Sequence, residues 1–305
     1  MTMIKLVVLA ACIAAASALG PWKSGLSVRF GVGLIGWGSS YFIHVPQTVS
    51  DAKNSRWVET ARPDGPLSSL VMLCPSRNDV VLCALYDDND DVAGLQIALP
   101  TDSYTDAVLD WETQGFRSWT APANSNGVVR TYWTIQQYFV SEATLMKSKE
   151  ERRASRSLSR GVLQENAVWV TGFNGDLMRI SGNANEVTDT ANTLFTEQAC
   201  VILMGRHYYY NMSTTTECSS STLLPWFPLL DMGTDQLIGT GLMSFGKLPA
   251  SALVKDYFER PTESNVKMIV PNGPNCIYQL AANTGLVTMH IYYVDSPWLI
   301  NCINN

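Results

Sequence analysis

Leu70-Val-Met-Leu-Cys74, Val80-Val-Leu-Cys-Ala-Leu-Tyr86 and Val92-Ala-Gly-Leu-Gln-Ile-Ala-Leu99 follow one another, separated only by the polar stretches 75–79 and 87–91. Each run is rich in valine, leucine and isoleucine and too short for a buried helix. Each break carries proline, asparagine or aspartate, the residues that turn a chain. Three such runs with tight connections are the signature of consecutive hairpins, so an antiparallel sheet is expected here.

The pattern extends in both directions. Residues 41–46 read as a short strand ended by proline, 128–140 as a long strand, and 168–171 with 177–180 as a hairpin around Asn174-Gly175, a favoured two-residue turn. Strands are also expected at 200–212, 226–230 and 236–245, and in a hairpin formed by 277–281 and 286–294. Short helices are expected at 50–57, 105–115 and 186–194. The fold class is therefore mainly β: antiparallel sheets built from hairpins, with a few short helices (α+β). One echo runs through it. Leu85-Tyr86-Asp87 followed by Gly94 resembles Leu229-Leu230-Asp231 followed by Gly239. It suggests two similar sheet halves within one β-rich domain over 19–305, joined near 141–165, although recurrent hairpin chemistry explains it nearly as well.

The chain's beginning restricts the chemistry further. Lys5, the apolar run 6–16 and Ala16-Ser17-Ala18 have the charge, length and small-x-small cleavage pattern of a secretory signal peptide over 1–18. The apolar run is about half of what a bilayer requires, so stable membrane insertion is not expected. The mature chain is expected outside the cell. The full sequence's net charge of −6 argues against nucleic acid as a partner. Cys12 leaves with the signal, and Cys74, Cys83, Cys200, Cys218, Cys276 and Cys302 remain. An even number in an oxidising compartment points to three disulfides, with about fifteen connectivities open in principle. Spacing favours the short loops Cys74/Cys83, Cys200/Cys218 and Cys276/Cys302. A zinc centre is disfavoured because no Cys-x-x-Cys pair occurs, so no metal and no cofactor are expected.

Several motifs invite chemistry and do not sustain it. Gly31-Val-Gly33-Leu-Ile-Gly36 fits a dinucleotide fingerprint, but residues 37–46 after it make a poor helix and end in Pro46. The aspartates of 87–91 lack the glycine and glutamate that a calcium-binding EF-hand loop needs, and read as a solvated hairpin turn. The basic stretch 147–160, with Arg152 and Arg153, reads as a solvated helix or a loop. Asn211-Met-Ser213 is the single glycosylation sequon and would be occupied if exposed. No nucleophile elbow and no zinc-protease motif occurs.

Two strands remain. In Arg206-His207-Tyr208-Tyr209-Tyr210, alternation puts His207 and Tyr209 on one face and Arg206, Tyr208 and Tyr210 on the other. In Met289-His290-Ile291-Tyr292-Tyr293, His290 shares a face with Tyr292. Histidine titrates near neutrality and tyrosine is a neutral donor, so facing His and Tyr side chains could supply a base and an acid. Aromatic residues on strands equally serve as cross-strand pairs and core.

Tyr41 and Pro46-Gln-Thr48 within 37–48, Leu85-Tyr86-Asp87 and Ala93-Gly-Leu-Gln96 within 80–96, His207-Tyr-Tyr209, and Leu224-Pro-Trp-Phe227 together resemble a family of secreted arthropod proteins of saliva, silk gland and venom type. Most of that family has no assigned function. One silk-gland or salivary member is a fatty acid hydroperoxide dehydratase, which turns plant linolenate hydroperoxides into keto fatty acids and so suppresses leaf volatiles. The resemblance implies a cofactor-independent lyase acting on a small lipid; it supplies no catalytic motif, and on that hypothesis side-chain chemistry selects His207 or His290 as base, Tyr208 or Tyr209 as proton donor, and Arg206 as carboxylate anchor. The alternative is a non-enzymatic secreted protein that binds lipids or plant defence compounds.

Overall fold

The computed structural model describes residues 22–29, 39–159, 161–189, 191–192, 194–234 and 236–302, with the backbone alone for 156–159. The expected signal peptide over 1–18 and the glycine motif at 31–36 lie outside the described residues. The strands are β1 (Ser24–Arg29), β2 (Phe42–His44), β3 (Val58–Glu59), β4 (Val71–Cys74), β5 (Leu82–Tyr86), β6 (Val92–Pro100), β7 (Arg117–Thr120), β8 (Thr131–Tyr138), β9 (Ala167–Thr171), β10 (Leu177–Ser181), β11 (Phe195–Val201), β12 (Gly205–Tyr210), β13 (Trp226–Leu230), β14 (Leu237–Phe245) and β15 (Leu286–Val294). The α-helices are α1 (Val49–Asn54), α2 (Glu142–Leu145), α3 (Lys149–Ser159), α4 (Ala184–Thr188), α5 (Glu263–Ile269) and α6 (Asn275–Asn283). The fold is mainly β with short helices, as the hairpin pattern indicated.

The strands form two antiparallel sheets. One runs β3-β4-β5-β6-β8-β9-β10, with β7 added to β8, and the other runs β11-β12-β13-β14-β15-β1-β2. They pack face to face, because alternate side chains of both sheets enter one core: Leu82, Leu95, Ile97 and Val170 from the first meet Val28, Trp226, Leu242 and Ile291 from the second. The orders match strand for strand when β3 is laid on β11 and β9 and β10 are laid on β1 and β2. The second sheet is thus a permuted copy of the first, completed by the chain's earliest strands.

Local detail repeats with the order. Leu85 pairs with Gly94 and Tyr86 with Val92 across a bulge, and Leu229 pairs with Gly239 and Leu230 with Leu237 across another. Gly94 faces Tyr138 and Gly239 faces Tyr292 on the next strand. A Cβ on either glycine would collide with backbone, at 2.5 Å from the Gln137 oxygen or 2.4 Å from the Ile291 oxygen. Both tyrosine hydroxyls donate to carbonyls in the connections before β4 and β12, Tyr138 to Pro66 (3.1 Å) and Tyr292 to Leu203 (3.2 Å). The caps repeat too: Thr48 caps α1 and bridges to Asp91, while Asn183 caps α4 and bridges to Gln236.

Several expectations change. The segment 141–165 joins β8 to β9 within one sheet, and the chain changes sheet at 45–57 and 182–194 instead. Residues 277–281 are helix rather than strand, because Ile277 and Ala281 are spaced one helical turn apart and both are buried. Residues 200–212 are two strands, since Leu203 (φ 66°) and Gly205 (φ 95°) turn the chain in between. No helix forms over 105–115, where Asp106 adopts φ 58° and Gly115 φ 93°. The aspartate turn and the basic stretch, both read as solvated, meet each other: the Arg152 guanidinium is buried against Asp87 (3.5 Å) and Asp88.

Three disulfides staple the fold: Cys74–Cys83, Cys200–Cys302 and Cys218–Cys276. The first is the short loop that spacing favoured, across adjacent strands. The other two correct the expected pairs. The strand β12 runs between Cys200 and Cys218, and β15 between Cys276 and Cys302. A strand advances about 3.3 Å per residue, so each carries the second cysteine of a neighbouring pair far beyond bonding reach. Loops of 102 and 58 residues restrain the unfolded chain by about 4 to 5 kcal/mol each on the chain-entropy account.

Candidate functional site

On β12 the alternation places His207 and Tyr209 on the outer face of the second sheet, with Phe227 of β13 and Tyr292 of β15. Tyr208 turns inward to the shared core, and Arg206 pairs with Glu197. The Tyr208 hydroxyl also donates to Glu197, at 3.2 Å. Arg206 and Tyr208 therefore stand apart from the two histidines. On β15, His290 lies opposite Arg29 of β1 on one side and Gly241 of β14 on the other. A Cβ on Gly241 would lie 1.9 Å from the Phe227 ring, so the glycine makes the space that this ring fills.

The result is a tight aromatic group. Phe227 stands 5.6 Å from the centroids of both His207 and His290, and the two imidazoles meet edge to face at 5.7 Å. Tyr209 stacks on Phe227 at 4.8 Å. Around them lies a cavity of about 40 Å³, closed by Val266 and Ile269 of α5 and Ile277 of α6, with Glu259, Pro261, Leu286 and Thr288 also in its wall. Cys218–Cys276 ties α6 to the connection before β13.

Glu259 supplies the charge. It sits on the connection from β14 to β15, held against Thr288 by reciprocal backbone hydrogen bonds of 2.8 and 2.9 Å. One carboxylate oxygen lies 3.3 Å from His290 Nδ1 and the other 3.5 Å from Arg29 Nε. A buried charge requires such partners, and this group forms a row of guanidinium, carboxylate and imidazole. Polar capacity nevertheless remains unused. His207 Nε2, both ring nitrogens of His290 and Glu259 Oε1 are buried without a hydrogen-bond partner, whereas buried polar groups in folded proteins are almost always paired.

The two histidines are not equivalent. His207 is fully buried, and this burial, followed by the proximity of His290, pushes its pKa down to about 3. It therefore stays a neutral imidazole. Its Nδ1 lies 3.1 Å from the Gly205 carbonyl, which only accepts, so Nδ1 carries the proton and Nε2 is a bare acceptor. Burial likewise raises the Tyr209 phenol, keeping it a neutral hydroxyl at the cavity wall. Among the described residues no three His, Cys, Asp or Glu side chains form a metal-holding group.

Sequence reasoning singled out His207, His290 and Tyr209 and missed Glu259 and Arg29. Arg29 had a signal, as a lone cation in the strand-like run 26–30 that demands a buried partner. Glu259 had none, because it belongs to no periodic element. Asn211, the sequon residue, is exposed just past β12. No helix among the described residues is long and apolar enough to cross a membrane. No protein family matches the chain, and no curated protein or solved structure does.

Proposed function

We propose that the chain is a secreted, cofactor-independent dehydratase that converts fatty acid hydroperoxides to keto fatty acids, as its resemblance to secreted arthropod proteins implies. The observation that supports this reading most is the contact of Glu259 with His290 Nδ1 at 3.3 Å, while the opposite nitrogen of that ring lacks a partner at the wall of a small, mainly apolar cavity. His290 Nε2 takes the proton from the carbon that bears the peroxide. The electrons of that C–H bond become the second bond of the carbonyl, and the O–O bond breaks. Tyr209 protonates the departing hydroxide to water, and the proton on His290 then returns to the phenolate. The carbon loses two electrons and the peroxide gains them, so no external oxidant or reductant is needed.

Glu259 orients the imidazole and stabilises the imidazolium formed in this step, the part a carboxylate plays behind a catalytic histidine. His207, held neutral, is the weaker choice of base and acts as an acceptor in the wall. A volume of about 40 Å³ suits a hydroperoxyl group, since one water molecule needs about 10 to 15 Å³ of such space. Incubation of purified protein with 13-hydroperoxylinolenate tests the proposal. Many equivalents of ketotriene per protein are expected, and bound but unchanged substrate sinks the enzymatic reading in favour of a lipid-binding protein.

A further inference from the structure

The 40 Å³ cavity is too small for a whole organic ligand, but a larger space adjoins it. A groove of about 860 Å³ lies beside it, between the connections after β6 and β14 and the end of α6. Its walls are largely apolar, with Leu248 and Ala250 from the segment after β14 and Ala282 from α6. Pro261 and Leu286 line both spaces, so only these two side chains stand between the groove and the histidine cavity. Its volume is in the range of sites that bury small organic molecules, about 300 to 1,000 Å³.

The unused polar atoms define what must reach the inner end. His207 Nε2 is an acceptor, because Nδ1 faces the Gly205 carbonyl. On His290, Nδ1 stands 3.3 Å from the Glu259 carboxylate without a formed hydrogen bond, and a proton drawn to Nδ1 by that charge leaves Nε2 as the second acceptor. Glu259 Oε1, 3.5 Å from Arg29 Nε, makes no hydrogen bond and is the third acceptor. A ligand that fits must bring a donor.

We propose that the groove and cavity together form one site for an elongated apolar molecule bearing an O–H group, hydroxyl or hydroperoxyl, with its chain in the groove and its O–H between the two histidines. This rests on the reading of the cavity as the reacting centre and adds to it the path of the chain and the group selected. A ketone in the same place brings no donor to any of the three acceptors, so the product of dehydration binds less tightly than its precursor. Sites built to hydrogen-bond a hydroxyl discriminate strongly against analogues that lack it.

The test is calorimetric titration of the full chain with 13-hydroxyoctadecadienoic acid, its 13-oxo counterpart and unsubstituted octadecadienoic acid. The hydroxy compound is expected to bind at least about tenfold more tightly than the other two, as one satisfied polar group implies. Ala250→Trp and Ala282→Trp, both at exposed groove positions, fill the channel without touching the core. They are expected to weaken all three ligands at least about tenfold with an unchanged thermal midpoint. Equal affinity for the hydroxy and oxo acids, or wild-type binding by both tryptophan variants, overturns the proposal. Selective binding of the hydroxy acid without turnover of the hydroperoxide by the wild type sinks the dehydratase reading and leaves this one standing. Turnover with an unchanged KM in both tryptophan variants does the reverse.

Discussion

Phe139 and Tyr293 hold the same place in the two sheets, each one residue beyond the tyrosine that faces a strand glycine, and their rings meet edge to face with centroids 5.6 Å apart. Equivalent residues touch across the sandwich, as they do near an axis relating two copies. The copies then differ at the site. The register that pairs Met72 with Leu85 pairs His207 with Leu229, and that which pairs Gln96 with Gln136 pairs Gly241 with His290. Met72 and Gln136 thus stand where the second sheet has its two histidines. Cys74 and Cys83, joined as a disulfide, stand where it has Tyr209 and Phe227. One half carries the candidate chemistry and the other shows what the same framework holds without it.

The first sheet therefore supplies the variant that isolates catalysis. His290→Gln copies its Gln136, so the fold is expected to persist while hydroperoxide turnover falls by about 10² to 10⁴, the usual contribution of a positioned base. Arg206→Ala is expected to leave turnover unchanged, because its guanidinium pairs with Glu197 away from the cavity. Turnover numbers, with circular dichroism as the control for folding, check both.

Stability is expected to depend on pH through His207. Its folded pKa of about 3 lies below the ordinary histidine value of 6.5. Above 6.5 both folded and unfolded chains hold a neutral ring and the group is silent. As pH falls from there toward about 3 the unfolded chain takes up a proton that the folded chain refuses, so stability is lost across that window. His207→Met, which places the first sheet's Met72 side chain at the equivalent position, is expected to flatten this loss. Urea midpoints measured at intervals from neutral to acid pH show the difference between variant and wild type.

Arg152 and Asp87 form a nearly solvent-free ion pair, their side chains 3% and 1% exposed, and Asp88 flanks it from the surface. Gln164 donates to the same Asp87 oxygen at 3.3 Å. Arg152→Ala leaves the carboxylate buried without its cation and is expected to cost about 3 to 5 kcal/mol. Arg153→Ala, one residue on and exposed, is expected to change stability by less than about 0.5 kcal/mol. Urea unfolding of the pair measures the contrast.

Gly94→Ala and Gly239→Ala are expected to destabilise to a similar degree, about 1 to 3 kcal/mol each, because each added methyl meets backbone of the adjoining strand. Thermal midpoints that differ widely between the two variants would contradict their equivalence.

The sheet strands could be read from the chain because their cause is local. Alternation and turn residues act over a few positions, and 70–99 needed no distant partner to be recognised as hairpins. The faces of β12 followed for the same reason, since side chains alternate along any strand. The echo between 85–94 and 229–239 was visible too, but not its meaning. Local cues failed where two readings of one apolar run competed, as at 277–281, where helical and strand spacing both fit the same few residues.

By itself the sequence determined the β class, the hairpins within 70–99 and 168–180, and that His207 and Tyr209 share one face of their strand. Only the tertiary structure decided that β1 and β2 complete the second sheet, that Cys200 bonds to Cys302 rather than Cys218, and that Arg29 and Glu259 stand behind His290. The physical reason is range. Turn and alternation preferences come from a residue and its near neighbours, whereas a sheet ladder brings together positions hundreds of residues apart. Nothing in the composition of 24–29 or 257–261 encodes that meeting.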